Sequence, residues 1–481
     1  MRGDRAWFLL FFLTFAWFTQ GGFANSNARF DLSLSIAMGH RYDIDPLAFN
    51  TIDRVRIGKH FYSEKAPGTA YLALPVAAAA ATMVDLAALE RSPPLADGLL
   101  HLATALSAGL LSALAAVAFR RLLSRLDPRR SHRSAWLLTA AVFLGTPLFV
   151  YSTVLFGHAI AAAWLTIGAW SGYEAARSRG PRPGRAALAA LALGLAVLTE
   201  YPAVIPAAAI AAGLLAVARR PRNLLVGTAA GGVPLALLMI HQNAAYGSPL
   251  AVGYGRLTGT PFATRMAEGF FGITLPDGGA ALQLLFGTYR GLFVYGPILV
   301  VAVAGFAMAP RPLRRRLAPA MLMGAGALWL VIAGYAYWQG GPAFGPRHLV
   351  PAIPLLGLGL AWWPDRPRWN GAAAALAAVS VAINLVGAAT TPFVSEFNPD
   401  PIVSVYPRLA AEGAMSINPV SFLTPAAEVD ERWAHLERYP LVTRNLGERL
   451  GLGGWMSVLP LALLWACAIV GEWVKRPAPA P

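Results

Sequence analysis

Mostly apolar runs recur along the whole chain, and a helix needs about 20 such residues to cross the hydrocarbon core of a bilayer; two of the runs are short and meet at a hinge, Glu200-Tyr201-Pro202. Twelve are legible: Ala6–Phe23, Leu99–Phe119, Ala135–Tyr151, His158–Ala176, Ala186–Thr199, Tyr201–Ala218, Leu224–Ile240, Gly291–Met308, Leu317–Tyr335, Leu349–Trp363, Ala372–Thr390 and Trp455–Val470. Backbone polar groups in lipid must be paired within the protein, so such runs form helices. Only 13% of the residues are charged and 56% are apolar, whereas soluble domains carry about 25% charged residues. A cytosolic globule and a disordered chain are both excluded. The fold class expected is an all-α polytopic membrane protein, one integral domain with twelve or thirteen transmembrane helices.

The thirteenth candidate, Ala70–Val84, is short, contains Pro75 and runs into Asp85. Arginine placement decides its reading, because basic residues collect in cytoplasmic connectors. The connector after Phe119 holds Arg120, Arg121, Arg125, Arg129, Arg130 and Arg133. With Arg2 and Arg5 also inside, that connector is inside only if Ala70–Val84 does not cross, so a re-entrant or interfacial helix on the outer side is expected. Later basic clusters, from Arg177 to Lys475 and Arg476, then also fall inside. The inner side takes 23 of the 39 basic residues and 5 of the 24 acids. The net charge of +15 is therefore an orientation signal, and no basic stripe on a soluble domain points to nucleic acid. A bacterial inner membrane location is expected, with both termini cytoplasmic. Cys467 is the single cysteine, so an intrachain disulfide is excluded.

Inner connectors are short and rich in Arg, Pro and Gly. The outer side has three long pieces, 24–98, 241–290 and 391–454, and loops of that length are usually functional or self-structured. The first is densest in titratable groups: Asp31, Asp43, Asp45, Asp53 and Glu64 stand among Arg29, Arg41, Arg54, Arg56, Lys59 and Lys65, with His40 and His60. Most such charges read as a solvated, self-paired loop. Lys65 differs. It sits in Glu64-Lys65-Ala66-Pro67-Gly68, where Pro and Gly turn the chain into the short apolar segment and place an ammonium at headgroup depth.

This long, acidic first outer loop with its E-K-A-P-G resembles the GT-C membrane glycosyltransferases, most of all bacterial enzymes related to protein mannosyltransferases and aminoarabinose transferase. Further matches are Tyr151-Ser152-Thr153-Val154-Leu155-Phe156-Gly157-His158, Thr199-Glu200-Tyr201-Pro202, Gly287-Thr288-Tyr289-Arg290-Gly291, Trp338-Gln339-Gly340-Gly341 and Gly345-Pro346-Arg347-His348. The resemblance implies an undecaprenyl- or similar polyprenyl-phosphate sugar donor and inverting transfer on the outer face to a lipid, glycan or protein acceptor. It also implies that Lys65 contacts the donor phosphate. The family commonly carries acids just before the first arginine of the loop. Here that stretch reads Ser26-Asn27-Ala28-Arg29, so the base must be sought elsewhere.

Asp31, Asp45 and Asp53 are the candidates for that base, which needs only hydrogen-bond reach and a suitable pKa. Asp43-Ile44-Asp45 is a D-x-D, which also offers oxygen ligands to a divalent cation such as Mg²⁺ or Mn²⁺. Arg290 and Arg347 read either as partners of the donor phosphate with Lys65, since a leaving phosphate needs positive charge, or as interfacial anchors. His60, Glu64, His158, Glu200, Trp338 and His348 are the candidate substrate contacts. Each has a structural alternative: hydrogen bonding for the histidines, hinge capping for Glu200 and an aromatic belt for Trp338. A transporter or flippase of lipid-linked sugar is the rival reading from another class. Charges at the ends of spans and the lack of an internal repeat favour surface chemistry. A GT-C relative that has lost catalysis is the second rival, given Ser26-Asn27.

Overall fold

The computed structural model describes residues 2–39, 41–217, 220–256, 261–439 and 441–474. His40, Lys475 and Arg476, read above as loop or connector charges, lie outside these, as does Arg219, a further connector arginine. The described chain is mostly helical, with a single two-stranded sheet among the described residues. It is an all-α membrane protein.

The first helix, α1 (Arg2–Trp17), runs antiparallel to the continuous helix Pro93–Leu126. Asp4, in the first turn of α1, pairs with Arg120 at 2.6 Å and Arg121 at 2.9 Å. At the other end, Thr19 Oγ1 lies 3.3 Å from His101 Nδ1. Trp7 stacks on Trp136 between these ties, with ring centroids 5.0 Å apart. The chain therefore leaves α1 and enters Pro93–Leu126 at the same face, and everything between, including the short apolar segment, begins and ends there. The 34-residue helix is longer than the expected Leu99–Phe119 and carries Arg120, Arg121 and Arg125 out beyond the apolar zone. Arg125 pairs with Glu174 at 2.7 Å, which brings the end of Gly157–Arg177 to the arginine-rich face.

On the opposite face the first loop folds back on the bundle. It opens with α2 (Ala24–Gly39), a helix buried despite its polar sequence. A hairpin follows, β1 (Arg54–Ile57) and β2 (His60–Ser63), paired antiparallel with Arg54 opposite Ser63 and Ile57 opposite His60. Its turn places Gly58 at φ +62°, a conformation glycine adopts without a Cβ clash. Then α3 (Gly68–Ala81) lays its small residues Ala73 and Ala77 against Phe30 and Leu34 of α2. Small side chains let two backbones approach closely, and Ser33 Oγ reaches Ala70 O at 2.9 Å.

Prolines break three of the expected spans, as a missing N–H and a ring clash require. The run Ala135–Tyr151 stops as a helix at Leu144 before Pro147, Gly291–Met308 is interrupted at Gly296-Pro297, and Leu349–Trp363 is a series of short turns around Pro351 and Pro354. The third outer piece is bonded to the bundle where the first loop begins. Gly22 N–H donates to Val420 O at 3.1 Å and Asn418 Nδ2 to Gln20 O at 2.5 Å, which locks it to the start of the first loop.

Candidate active site

The polar residues at the start of α2 divide into two sets. Ser26 and Asn27 are structural: Ser26 Oγ accepts from Phe23 N–H at 3.1 Å, and Asn27 Nδ2 donates to the carbonyls of Asn50 and Phe422 at 2.9 and 3.0 Å. A carboxylate in place of Asn27 would face two carbonyl oxygens with nothing to donate. One turn on, Arg29 is 2% exposed and points the other way. Its guanidinium donates to Asn25 Oδ1, Ala66 O, Thr69 Oγ1 and, at 2.6 Å, Glu200 Oε1.

Glu200 follows the helix Pro183–Thr199 at an extended residue before Tyr201-Pro202. Two glycines make room for this corner: a Cβ on Gly157 would overlap the Glu200 carboxylate, and one on Gly68 would lie 2.6 Å from Thr199 Oγ1. The Arg29–Glu200 pair thus ties α2, α3 and two bundle helices together beside Lys65.

Lys65 is 7% exposed, with Nζ 3.0 Å from Asp53 Oδ2 and 2.5 Å from Glu64 Oε1. Burial alone would lower its pKa; Asp53 and Glu64 outweigh burial and raise it, so the ammonium stays charged. Burial raises the Glu64 pKa, against the pull of Lys65 and Arg29. The second outer piece completes this wall. Tyr246 Oη donates to Ser63 O at 2.6 Å, Gly253 packs on the Glu64 backbone, and the Tyr254 ring centroid lies 5.8 Å from Lys65 Nζ. Tyr254 and Arg29 are absent from the sequence-derived candidates. An arginine within a mixed apolar and polar helix is the only signal that pointed to one of them.

Arg347 lies near enough to act electrostatically on Lys65, His158 and His348, and its guanidinium covers the Phe156 ring at 5.6 Å. Its seat is Gly340, at φ +77°, where a Cβ would come 2.7 Å from Arg347 Nε. Arg290 holds that seat in place. It is fully buried, donates to the carbonyls of Gln339, Tyr289 and Gly341 at 2.8, 3.1 and 2.9 Å, and lies over the Tyr289 ring at 4.1 Å. Trp338 packs edge-on against the same tyrosine at 6.0 Å. His158 and His348 meet nearly perpendicular, ring centroids 5.4 Å apart. His158 Nε2, His348 Nε2 and Arg347 Nε are all buried without a hydrogen-bond partner among the described residues. Three unpaired buried nitrogens at one place are costly unless a ligand pairs them.

The remaining first-loop candidates lie elsewhere. Asp31 is fully buried inside α2: Asn50 Nδ2 donates to Oδ1 at 3.1 Å, and Oδ2 has no partner among the described residues. Burial raises its pKa well above the usual carboxylate range, more than Asn50 and Arg54 can offset. Asp45 joins the 45–50 turn to the hairpin, accepting from Phe61 N–H at 2.6 Å and meeting His60 Nδ1 at 2.6 Å. Burial raises the Asp45 pKa, yet Phe61, His60 and Arg41 together hold it below the usual range. Asp43, Asp45 and His60 each bring a ligand atom within 4.8 Å of the others, two carboxylates and an imidazole that suit a divalent cation. Arg41 already lies 2.6 Å from Asp43 and 3.5 Å from Asp45, so an ion would have to displace its guanidinium.

The apolar helical bundle, with its first outer loop folded back over it, has the GT-C fold. Among solved structures the chain is similar to ArnT from Cupriavidus metallidurans bound to undecaprenyl phosphate, at TM-score 0.52 and 15% identity, over 98% of this chain and 77% of that one. It is also similar to the Archaeoglobus fulgidus oligosaccharyltransferase in its apo form, at TM-score 0.46 and 14% identity, over 91% of this chain and 60% of that one. No protein-family model and no curated protein sequence matches the chain.

Proposed function

We propose that this protein is an inverting glycosyltransferase that moves a sugar from a polyprenyl-phosphate donor to an acceptor at the outer face of the bacterial inner membrane. The observation that carries the reading is the pair of cations Lys65, itself buried, and Arg347, whose Nε is buried and unpaired among the described residues, at the face opposite the arginine-rich connectors. A phosphate monoanion or dianion satisfies such a set, and the charge it gains on leaving is what these cations stabilise. Lys65 meets the phosphate as a point charge and Arg347 as a fork. Asp53 and Glu64 hold the ammonium in position, while Arg290 acts at one remove through the 339–341 loop. The D-x-D with His60 is a second, separate place where a divalent cation would be held by Asp43, Asp45 and His60. It would there supply charge and rigidity to the hairpin that leads into Lys65.

Lys65→Ala tests the reading. In membranes that supply both donor and acceptor, transfer should fall about 10²–10³-fold at unchanged protein level. Wild-type transfer in that variant would overturn it.

A further inference from the structure

We propose that His158 takes the proton from the acceptor hydroxyl, with Glu200 positioning its ring. The inference rests on the glycosyl-transfer reading above and supplies the base that Ser26-Asn27 leaves out. Every carboxylate beside the lysine is already engaged by a cation: Asp53 and Glu64 by Lys65 at 3.0 and 2.5 Å, and Glu200 by Arg29 at 2.6 Å. Each of these contacts favours the ionised carboxylate and so weakens it as a base. Asp31 faces Asn50 and Asp45 faces His60, so neither reaches Lys65.

His158 differs in three respects. Its Nε2 is buried with no hydrogen-bond partner among the described residues. Its Nδ1 lies 3.7 Å from Glu200 Oε1, so a proton on Nδ1 faces a carboxylate and the Nε2 lone pair stays open. Its ring is fixed by edge contacts with Tyr151 at 5.8 Å, Phe156 at 6.1 Å and His348 at 5.4 Å. Phe156 also lies under Arg347, so the base and the phosphate-facing cation flank one ring. The neighbouring Gly157 leaves the space into which the Glu200 carboxylate projects. His348 shares the open Nε2 but has no carboxylate beside it among the described ion pairs.

In the transfer step the acceptor oxygen forms a bond to the anomeric carbon as its proton passes to His158 Nε2. The bond from that carbon to the phosphate oxygen breaks, and its electron pair leaves with the polyprenyl phosphate. Glu200 stabilises the imidazolium until water removes the proton. The negative donor phosphate, once bound, favours the imidazolium that forms.

The test separates turnover from donor binding. Undecaprenyl phosphate serves as the binding probe on purified protein, and consumption of lipid-linked sugar in native membranes reports turnover. His158→Gln should lower turnover about 10²–10⁴-fold with the Kd for undecaprenyl phosphate within about twofold of wild type. Glu200→Gln, which keeps an acceptor for Arg29, should lower kcat with Kd unchanged. Wild-type turnover in His158→Gln overturns the assignment, as does loss of binding together with turnover, which would make His158 a donor ligand. If His158→Gln fails to fold, His158→Asn is read in the same way. A His348→Gln variant that loses turnover while His158→Gln keeps it also overturns the assignment. If Lys65→Ala keeps turnover, the glycosyl-transfer reading itself falls. Lost turnover in Lys65→Ala beside an active His158→Gln removes only the base.

Discussion

Asn27 stands where a carboxylate is expected, and its surroundings explain why an acid does not fit. Its amide bridges the carbonyls of Asn50 and Phe422, joining the first loop to the third outer piece. Asn27→Asp would remove both donors and leave a buried charge against two acceptors. It should cost about 1–3 kcal/mol in denaturant unfolding of the detergent-solubilised protein, and it should not raise transfer. Asp31, one turn further, makes the complementary prediction. Its pKa is raised in the folded protein, so the unfolded chain ionises first. Stability then falls as pH rises past the ordinary carboxylate range towards the folded pKa. Asp31→Asn keeps an oxygen for Asn50 and removes that loss. The variant should melt above wild type near pH 8, and the gap should narrow towards about pH 5; a pH-independent gap would contradict the raised pKa.

At the scale of elements, the piece from Tyr289 to Arg347 works as a relay. Arg290 fixes the carbonyls of 339–341, the turn so held puts Gly340 at positive φ, and the absent Cβ leaves space for Arg347. Gly340→Ala combines backbone strain with displacement of the guanidinium. It should destabilise by more than about 1 kcal/mol and weaken undecaprenyl phosphate binding, whereas Gly326→Ala, in open space on a membrane helix, should leave binding unchanged without loss of stability. The sequence led to Arg290 and Arg347 as equals, because both follow glycine-rich outer motifs, and it had no means of telling which one donates to carbonyls. Helices were legible for a simpler reason: an apolar run of span length has few alternatives in lipid. The Lys65 turn was legible because Pro and Gly flank it. Contacts across large separations were not. Arg29 and Glu200 are 171 positions apart, and neither residue's local pattern names the other. Asp45 and His60, 15 positions apart, pair with each other beside the hairpin turn, a contact that neither residue's local pattern names.

For the whole molecule, the ion pairs divide between two faces, and that division is what orients the site. Asp4, Arg120, Arg121, Arg125 and Glu174 form one tied layer, while Arg29, Lys65, Glu200 and Arg347 gather at the other end of the same helices. Because α1 and Pro93–Leu126 are tied at both ends, the site's side follows from that of the arginine layer. Basic residues collect on the cytoplasmic side of membrane proteins, so the Lys65 face is expected to look outward. Cys467 is the only cysteine, so Cys467→Ser gives a cysteine-free background for a direct trial. A cysteine at Lys59, exposed at the hairpin turn, should react in intact cells with a membrane-impermeant maleimide. One at Arg129, exposed beyond the long helix, should react only after the membrane is opened. The reverse pattern would put the site on the cytoplasmic side, where the outer-face acceptor reading fails. Labelling of both positions in intact cells would show that the two charge layers do not lie across a bilayer from one another.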